Sequence, residues 1–231
     1  MTKAYTNDTE LFALMKRELF TAVIGDVMDK LGLLRQFLPP NIGPLRDDMV
    51  LVGRAMPVLE ADVFAESITG TAGPLAAKPF GLMLEALDDL KPGEVYVATG
   101  ASPSYALWGE LMTIRATNLG AAGVLVNGFA RDTRGILALN FPTFCIGKYA
   151  QDQGPRGKVI DFRVPVEIGG VRIEPGSLLF ADHEGALIIP REAEAETIAK
   201  SLEKARGEKQ VAQAIRNGMS TVDAFQTFGI M

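Results

Sequence analysis

The sequence predicts an α/β domain in which helices pack on a sheet of parallel strands. From residue 77 onward, short apolar segments alternate with segments whose apolar residues recur at helical spacing. This strand–helix–strand order is typical of parallel strands that are joined by helices. The length of 231 residues, with 48% hydrophobic and 22% charged residues, is ordinary for one globular domain and argues against disorder, collagen-like repeats or a coiled coil.

The first part of the chain predicts helices, a loop and a strand. Apolar residues between positions 11 and 31 keep helical spacing until Gly32 ends the pattern. Residues 35–49 contain three prolines and are expected to form a loop. Residues 50–58 predict a strand that is interrupted by Gly53.

The middle of the chain predicts alternating helices and strands after a loop. Residues 67–73 are rich in Gly, Thr and Ser, and we expect them to form a mobile loop near a site. The next predicted element is a helix with Phe80, Leu84 and Leu87 on one face, and a strand at 95–98 follows it. A second predicted helix carries Leu107, Leu111 and Ile114 on one face and ends near Gly120. A strand at 124–126 and a short helix at 136–139 complete this part.

The last part of the chain predicts strands and then a helical arm. Residues 143–190 carry strand patterns with Pro and Gly at the turns, and residues 191–216 predict a long amphipathic helix that a short terminal helix follows. We therefore divide the chain into an α/β domain with N-terminal helices at 1–190 and a helical arm at 191–231. The arm can pack on its own sheet or on a neighbouring subunit through its apolar face, which consists of Ile198, Leu202 and Ala205.

Scarce residue types and net charge restrict the possible chemistry. Cys145 and His183 are the only cysteine and histidine, so the sequence excludes an intrachain disulfide and a zinc site of three or four His or Cys ligands. The formal net charge of −5, without a run of Lys or Arg, disfavours binding to nucleic acid. The polar N-terminus and the absence of an apolar stretch near ~20 residues predict a cytoplasmic protein that does not contact a membrane.

One segment combines a helix start with a charged pair. Gly109 and Glu110 open a predicted helix, so the N–H groups of Leu111 and Met112 lack intrahelical acceptors and can bind an anion. Arg131-Asp132 follows a buried strand, where ligands of parallel α/β sheets usually bind. Arg131 can hold a carboxylate and Asp132 a hard cation. The simpler interpretation is a helix cap with a surface ion pair, and it remains open.

The segment resembles the signature of the RraA-like family, whose enzymes include 4-hydroxy-4-methyl-2-oxoglutarate / 4-carboxy-4-hydroxy-2-oxoadipate aldolase. That signature has an acidic residue, then twenty residues, then Arg-Asp, with G-x-x-G-V-V-x-x-G before the pair; residues 120–128 read GAAGVLVNG here. Further stretches fall in family order, namely 26–32, 52–55, 91–95, 165–171, 175–176 and 182–190.

The resemblance implies a fold, an assembly and an activity. The fold would be an α/β/α sandwich of the RraA-like swivelling-domain type with a C-terminal helical arm, in homotrimers or homohexamers whose sites lie between subunits. The activity would be class II, metal-dependent cleavage of a 4-hydroxy-2-oxo acid to pyruvate and a second oxo acid. Decarboxylation of oxaloacetate would accompany it.

The resemblance also implies roles for individual residues. Asp132 would bind Mg²⁺, Mn²⁺ or another divalent cation. Arg131 would bind the pyruvate carboxylate together with the backbone of Gly109, Leu111 and Met112. Glu110 would be an acid near the metal waters, and Glu208 would be lent by the C-terminal helix to the neighbouring subunit's site. Two departures from the family are Glu110, where the aldolases usually have Asp, and Gly135, where the regulator branch has an acidic residue.

Three alternatives compete with the metal-dependent aldolase. A Schiff-base aldolase would need a buried lysine, for which Lys148 is the best candidate. A non-catalytic regulator of the RraA type would bind a ribonuclease or another protein. A methyltransferase would need a glycine-rich loop that cradles its cofactor, and residues 98–102 match such a loop too weakly.

Overall fold

A computed structural model describes residues 5–63, 75 and 77–230. The predicted loop at 67–73 lies outside these residues. The helices are α1 (Asp8–Glu18), α2 (Thr21–Lys30), α3 (Met83–Asp88), α4 (Glu110–Asn118), α5 (Thr133–Ala138), α6 (Glu194–Arg216) and α7 (Thr221–Phe228). The strands are β1 (Gly43–Pro44), β2 (Leu51–Asp62), β3 (Glu94–Thr99), β4 (Ala106–Trp108), β5 (Gly123–Val126), β6 (Phe129–Ala130), β7 (Thr143–Cys145), β8 (Gly147–Lys148), β9 (Gly157–Phe162), β10 (Val166–Ile168), β11 (Val171–Ile173), β12 (Leu178–Asp182) and β13 (Gly185–Ile189).

The main sheet has the strand order β1-β7-β5-β3-β2-β12-β13, and β9 also pairs with β2. Its centre is parallel, because β2 pairs with β3, β3 with β5 and β5 with β7 in that orientation. Strands β12, β13, β9 and β1 add antiparallel pairs around this centre. A smaller parallel sheet consists of β4, β6 and β8, and β10 and β11 form a hairpin. The parallel pairing that the sequence predicted is confirmed.

Helices cover both faces of the main sheet. Side chains alternate between the two faces of a strand, and β12 shows this directly. Leu178 and Phe180 belong to one core with α1, α2 and α6, whereas Leu179 and Ala181 belong to the other core, to which α3, α4 and α5 contribute. The expected α/β/α architecture is therefore confirmed.

Gly53 does not interrupt its strand, contrary to the sequence-based expectation. Strand β2 runs unbroken from Leu51 to Asp62. A Cβ at position 53 would lie 2.7 Å from the Gly93 carbonyl oxygen and 2.8 Å from the Ala122 Cβ. The glycine thus allows the loops before β3 and β5 to approach the strand closely.

The predicted apolar face of the helix around residue 111 is wrong. Leu107 lies in β4, and Gly109 separates this strand from α4, so the helical spacing of the three apolar residues was accidental. Leu111 is 81% exposed and Ile114 is also exposed, whereas α4 buries Thr113 and Ala116. Short side chains on the buried face let α4 lie close to the sheet.

The apolar face of the arm packs on its own chain. Ile198, Leu202 and Ala205 are buried in the core that α1 and α2 share, and full burial of such an aliphatic side chain contributes roughly 2 kcal/mol. Helix α7 folds back onto α6, where Ile230 lies against Gly207. The division of the chain at residue 190 stays a prediction. No helix in the described part of the chain has the length and apolar character to cross a membrane.

Candidate active site

The start of α4 presents backbone N–H groups that no described side chain caps. Gly109 occupies the N-cap position with extended backbone, φ −150° and ψ 179°. The first N–H groups of a helix have no intrahelical acceptor, and the helix dipole adds positive potential there. The structure places Leu111 and Met112 in this first turn, where the sequence predicted donors for an anion.

Hydrogen bonds connect the start of α4 to the protein core. The indole Nε1 of Trp108 donates to Thr113 Oγ1 at 2.7 Å, and that hydroxyl donates to the Gly109 carbonyl oxygen at 3.0 Å. Trp108 is buried, with ring centroids 5.1 Å from Tyr96 and 6.2 Å from Phe141. The position of the N–H donors is therefore set by packed aromatic side chains.

Arg131 and Asp132 lie at the join between β6 and α5. The Arg131 N–H donates to the Trp108 carbonyl oxygen at 2.9 Å, which extends the β4–β6 pairing by one residue. Asp132 adopts left-handed backbone angles, φ 52° and ψ 33°, at the N-cap of α5. For a non-glycine residue this conformation is uncommon, although Asp tolerates it better than most. The left-handed turn starts α5 immediately after the strand.

The carboxylate of Asp132 is not used as a helix cap. An Asp at an N-cap normally accepts a hydrogen bond from the first helical turn, yet none of the described N–H groups of α5 donates to this side chain. Its Oδ2 lies 3.6 Å from Arg131 Nε, and the side chain is 53% exposed. Of the simpler interpretation, the cap is therefore absent and the surface ion pair is present, and the carboxylate is accessible to a ligand.

Gly109 lets the starts of α4 and α5 approach each other. A Cβ at position 109 would lie 3.1 Å from Asp132 Oδ2 and 3.7 Å from Arg131 Nε. These contacts place the Arg-Asp pair beside the first turn of α4. The structure thus brings the predicted anion donors and the predicted cation ligand together.

Glu110 lies across the same junction. A Cβ on Gly135 would overlap the carboxyl carbon and both carboxylate oxygens of Glu110. Gly135 is in the first turn of α5, and its N–H donates to the Asp132 carbonyl oxygen at 2.9 Å. The Glu110 carboxylate therefore reaches the turn that begins at Asp132.

Asp152 is a member of the site that sequence reasoning missed. Its Oδ1 lies 2.7 Å from Arg131 Nη1, and its Oδ2 accepts a hydrogen bond from the Gly154 N–H at 3.0 Å. The Arg131 and Asp152 side chains are 38% and 43% exposed. The D-Q-G-P sequence indicates a turn, but nothing in it indicates which cation the turn would meet.

A buried acid lies behind this turn. Gln153 Nε2 donates to Glu60 Oε2 at 2.8 Å, whereas Oε1 of Glu60 has no hydrogen-bond partner among the described residues. Burial, and to a smaller extent the Asp62 carboxylate, raise the pKa of Glu60 to about 8. Sequence reasoning missed Glu60 because nothing in the sequence indicates that this position near the end of β2 is buried. Gln153 binds Glu60, and the residue that precedes Gln153 in the sequence, Asp152, pairs with Arg131. Glu60 is thereby connected to Arg131.

Glu208 does not join the other site residues within the chain. It forms an ion pair with Lys204, whose Nζ also lies 3.0 Å from Asp26 Oδ2 on α2. This contact is consistent with the packing of α6 on α2. The role predicted for Glu208 concerns a neighbouring subunit, and it stays a prediction.

The residues at the site fit a cation that keeps most of its water. In the described part of the chain, no three His, Cys, Asp or Glu side chains come together as ligands of one metal ion. Mg²⁺ commonly uses one or two protein carboxylates, with waters and substrate as the other ligands. The accessible carboxylate of Asp132 suits that mode of binding.

Lys148 does not have the environment of a Schiff-base lysine. It lies at the end of β8 and is exposed. Such lysines are activated by desolvation or by a neighbouring cation. Exposure of Lys148 removes the first of these causes.

The fold and the site define a mixed α/β protein in which an Arg-Asp pair faces an uncapped helix start. The chain belongs to the RraA-like family, whose Aldolase/RraA model matches residues 21–188. A protein of Halalkalibacterium halodurans named "Putative 4-hydroxy-4-methyl-2-oxoglutarate aldolase" is 30% identical over 212 residues, which cover 90% of each chain.

Two further proteins are similar to this chain, one over only part of its own length and the other in fold alone. Protein DlpA of Legionella pneumophila is 28% identical over 208 residues, which are 90% of this chain but 32% of DlpA, so the chain spans about a third of that relative. Streptomyces coelicolor RraAS2, described as an unusual member of the RNase ES inhibitor RraA protein family, matches with a TM-score of 0.73 at 22% identity, covering 90% of this chain and 98% of RraAS2. That likeness concerns the fold alone.

Proposed function

We propose that the protein is a class II pyruvate aldolase, a carbon–carbon lyase that cleaves 4-hydroxy-2-oxo di- or tricarboxylic acids to pyruvate and a second oxo acid. The observation that carries the proposal is the Asp132 carboxylate, which occupies an N-cap position without capping and lies beside Arg131 and the uncapped start of α4. An accessible carboxylate beside two anion-binding elements suits the binding of a cation that a 2-oxo acid chelates. The named aldolase relative supports the same reaction class.

Arg131 and the N–H groups of Leu111 and Met112 would bind the carboxylate next to the 2-oxo group. Guanidinium groups hold carboxylates through paired, charge-assisted hydrogen bonds. Arg131 lies closer to Asp152 than to Asp132, and an ion pair as exposed as Arg131–Asp152 is worth about 0–1 kcal/mol. A substrate carboxylate can therefore replace Asp152 at the guanidinium at small cost.

Asp132 would hold Mg²⁺, Mn²⁺ or another divalent cation. When bound, the cation supplies Lewis-acid stabilisation of the negative charge that develops on the 2-oxo group. Asp132 is well placed for this because Gly109 leaves space beside its Oδ2. Anchoring of α4 to the core keeps the carboxylate-binding donors in place beside it.

Glu110 would move the proton that the cleavage releases. The 4-hydroxyl loses its proton, the C3–C4 bond breaks, C4 becomes a carbonyl, and the electron pair forms the pyruvate enolate, which is then protonated at C3. A positioned carboxylate near the hydroxyl contributes general-base assistance. Glu208 of a neighbouring subunit would assist if the protein forms the trimer or hexamer that we propose. The same enolate would form from oxaloacetate by loss of carbon dioxide, which predicts that side activity.

The test is pyruvate formation from a panel of 4-hydroxy-2-oxo di- and tricarboxylates, with and without Mg²⁺. Wild-type protein should release pyruvate only with the cation, and Asp132→Ala should abolish release. Asp47→Ala is the matched control, because Asp47 is an exposed carboxylate in the loop before β2. Inert wild-type protein on the whole panel would exclude the aldolase, and full activity of Asp132→Ala would exclude this metal ligand.

A non-catalytic regulator that binds a ribonuclease or another protein is the second candidate. The exposed apolar side chains Leu111 and Ile114 on α4 favour it, because such side chains are common in protein contacts. Capture of a ribonuclease by the wild-type protein, with no pyruvate release, would support it. Loss of capture in Leu111→Asp would locate the contact on α4.

A further inference from the structure

Gly135 occupies a position in α5 where its backbone does not require glycine. It is the third residue of Thr133–Ala138 and has no positive φ. Glycine in a helix weakens folding by up to about fivefold relative to alanine. Because glycine here lowers stability and the backbone conformation does not require it, some other contact must explain why position 135 is a glycine.

The contact with Glu110 supplies that reason. A Cβ at position 135 would occupy the space that the Glu110 carboxyl carbon and both oxygens now fill. Real Cβ atoms do not approach other heavy atoms this closely, so an alanine at position 135 and the present Glu110 rotamer exclude each other. The Glu110 carboxylate therefore occupies the space that a side chain at position 135 would fill.

The length of the acid matters for the same contact. Glutamate has one methylene more than aspartate, and this extra reach carries its carboxylate from α4 across to α5. An aspartate at position 110 would end short of Gly135 and would leave the space open. Glu110 and Gly135 thus meet in one contact between α4 and α5.

We infer that Gly135 is a positioning residue for Glu110, and that the two residues act as one unit that sets where the carboxylate meets the 4-hydroxyl of the substrate. The catalytic meaning rests on the proposed aldolase function. The physical coupling of the two residues does not, because it follows from their contact alone. The two claims can therefore fail separately.

A stability cycle tests the coupling without any assay of activity. The variants are Gly135→Ala, Glu110→Ala and the double variant, each unfolded in urea. With Glu110→Ala as background, Gly135→Ala should lower the unfolding equilibrium constant about fivefold, as helix propensity dictates. With Glu110 present, the same change should stabilise the protein less than in the Glu110→Ala background, because the exposed carboxylate must rotate away from the new Cβ.

The control is Ala138→Gly, a change of the same kind at an exposed position of α5. It should shift the unfolding equilibrium by the same factor with and without Glu110. A smaller stabilisation by Gly135→Ala with Glu110 present than without it, and no such difference at position 138, supports the proposal. Equal stabilisation by Gly135→Ala in both backgrounds would overturn it.

An activity experiment tests the positioning role. Gly135→Ala should lower kcat for pyruvate release roughly 10–100-fold, because a carboxylate displaced by about 1 Å loses its alignment with the reacting group. KM should change little, since Arg131 and the α4 N–H groups bind the substrate. Glu110→Asp alone should also lower kcat, and adding Gly135→Ala to Glu110→Asp should lower it little further, because the shorter acid does not fill the space. A further loss as large as in the wild-type background would refute the positioning role, whereas wild-type protein without pyruvate release would refute only the proposed function.

Discussion

Replacing Glu60 with Gln is expected to stabilise the protein increasingly as the pH rises. Glu60 is buried in β2, one of its oxygens accepts from Gln153, and the other has no partner among the described residues. The amide is neutral at every pH and keeps an oxygen for Gln153. The substitution therefore removes only the charge that the buried acid would have to carry.

The magnitude follows from the pKa of Glu60, which burial raises from 4.5 to about 8. Below about pH 4.5 the acid is protonated in the folded and the unfolded chain, and the wild type and Glu60→Gln should be about equally stable. Between the two pKa values only the unfolded chain releases the proton, so the free energy of unfolding of the wild type falls as the pH rises. The loss reaches about 3 kcal/mol at pH 7 and about 5 kcal/mol above pH 8, since one pKa unit corresponds to ~1.4 kcal/mol.

Urea denaturation measures this difference, and Trp108 serves as the probe because it is the single tryptophan and is buried. Glu167→Gln is the control, since it makes the same chemical change at an exposed position of β10 where no burial penalty arises. The advantage of Glu60→Gln over the wild type should grow between about pH 5 and about pH 9. An advantage of constant size over that range would refute the reasoning from burial.

Four further predictions concern the candidate site. Arg131→Lys should raise KM for the 2-oxo acid about tenfold with little change in kcat, because lysine cannot make the paired hydrogen bonds. Arg172→Lys on the β11 hairpin is the control and should leave both constants unchanged. Steady-state kinetics measures both variants, and equal KM values for Arg131→Lys and the wild type would contradict the prediction. Asp132→Asn should abolish activation by Mg²⁺, and calorimetric titration should show that Mg²⁺ binding is lost with it. Asp152→Asn should lower KM up to about fivefold, because Arg131 loses an anionic competitor worth about 0–1 kcal/mol; a raised KM would show that Asp152 mainly orients the guanidinium. An equal mixture of Glu208→Gln and Asp132→Asn subunits should regain about a quarter of wild-type activity if each site combines two subunits, because about a quarter of the sites then contain an intact Asp132 and an intact Glu208. No regain would place Glu208 outside the site.

The strand and helix pattern of the chain could be predicted because local signals carry it. Apolar runs at 95–98 and 124–126 correspond to β3 and β5, and the spacing of Ile198, Leu202 and Ala205 identified the buried face of α6. The Arg131-Asp132 pair and the start of α4 were also placed correctly beside each other. These features depend on short segments and on the known geometry of parallel α/β sheets.

The features that could not be predicted depend on contacts between distant segments. Asp152 meets Arg131 only because a turn after β8 folds back onto the site, and Glu60 meets Gln153 across 93 positions. The exposure of Leu111 was missed because a single glycine ends a strand and starts a helix within three residues. None of these contacts has a local signal in the sequence.

The hydrogen bonds that run from the Trp108 indole through Thr113 to Gly109 divide the site into two mechanically different halves. On the α4 side, hydrogen bonds and aromatic packing join the N–H donors to the core, so a shift of these donors would disturb that packing. On the other side, Arg131 and Asp152 are partly exposed and joined by a weak ion pair. The α4 donors, together with Arg131, would bind what all substrates share, the carboxylate next to the 2-oxo group. A change of substrate would be accommodated in the turn that carries Asp152, and evolution of new specificity in this chain should begin there.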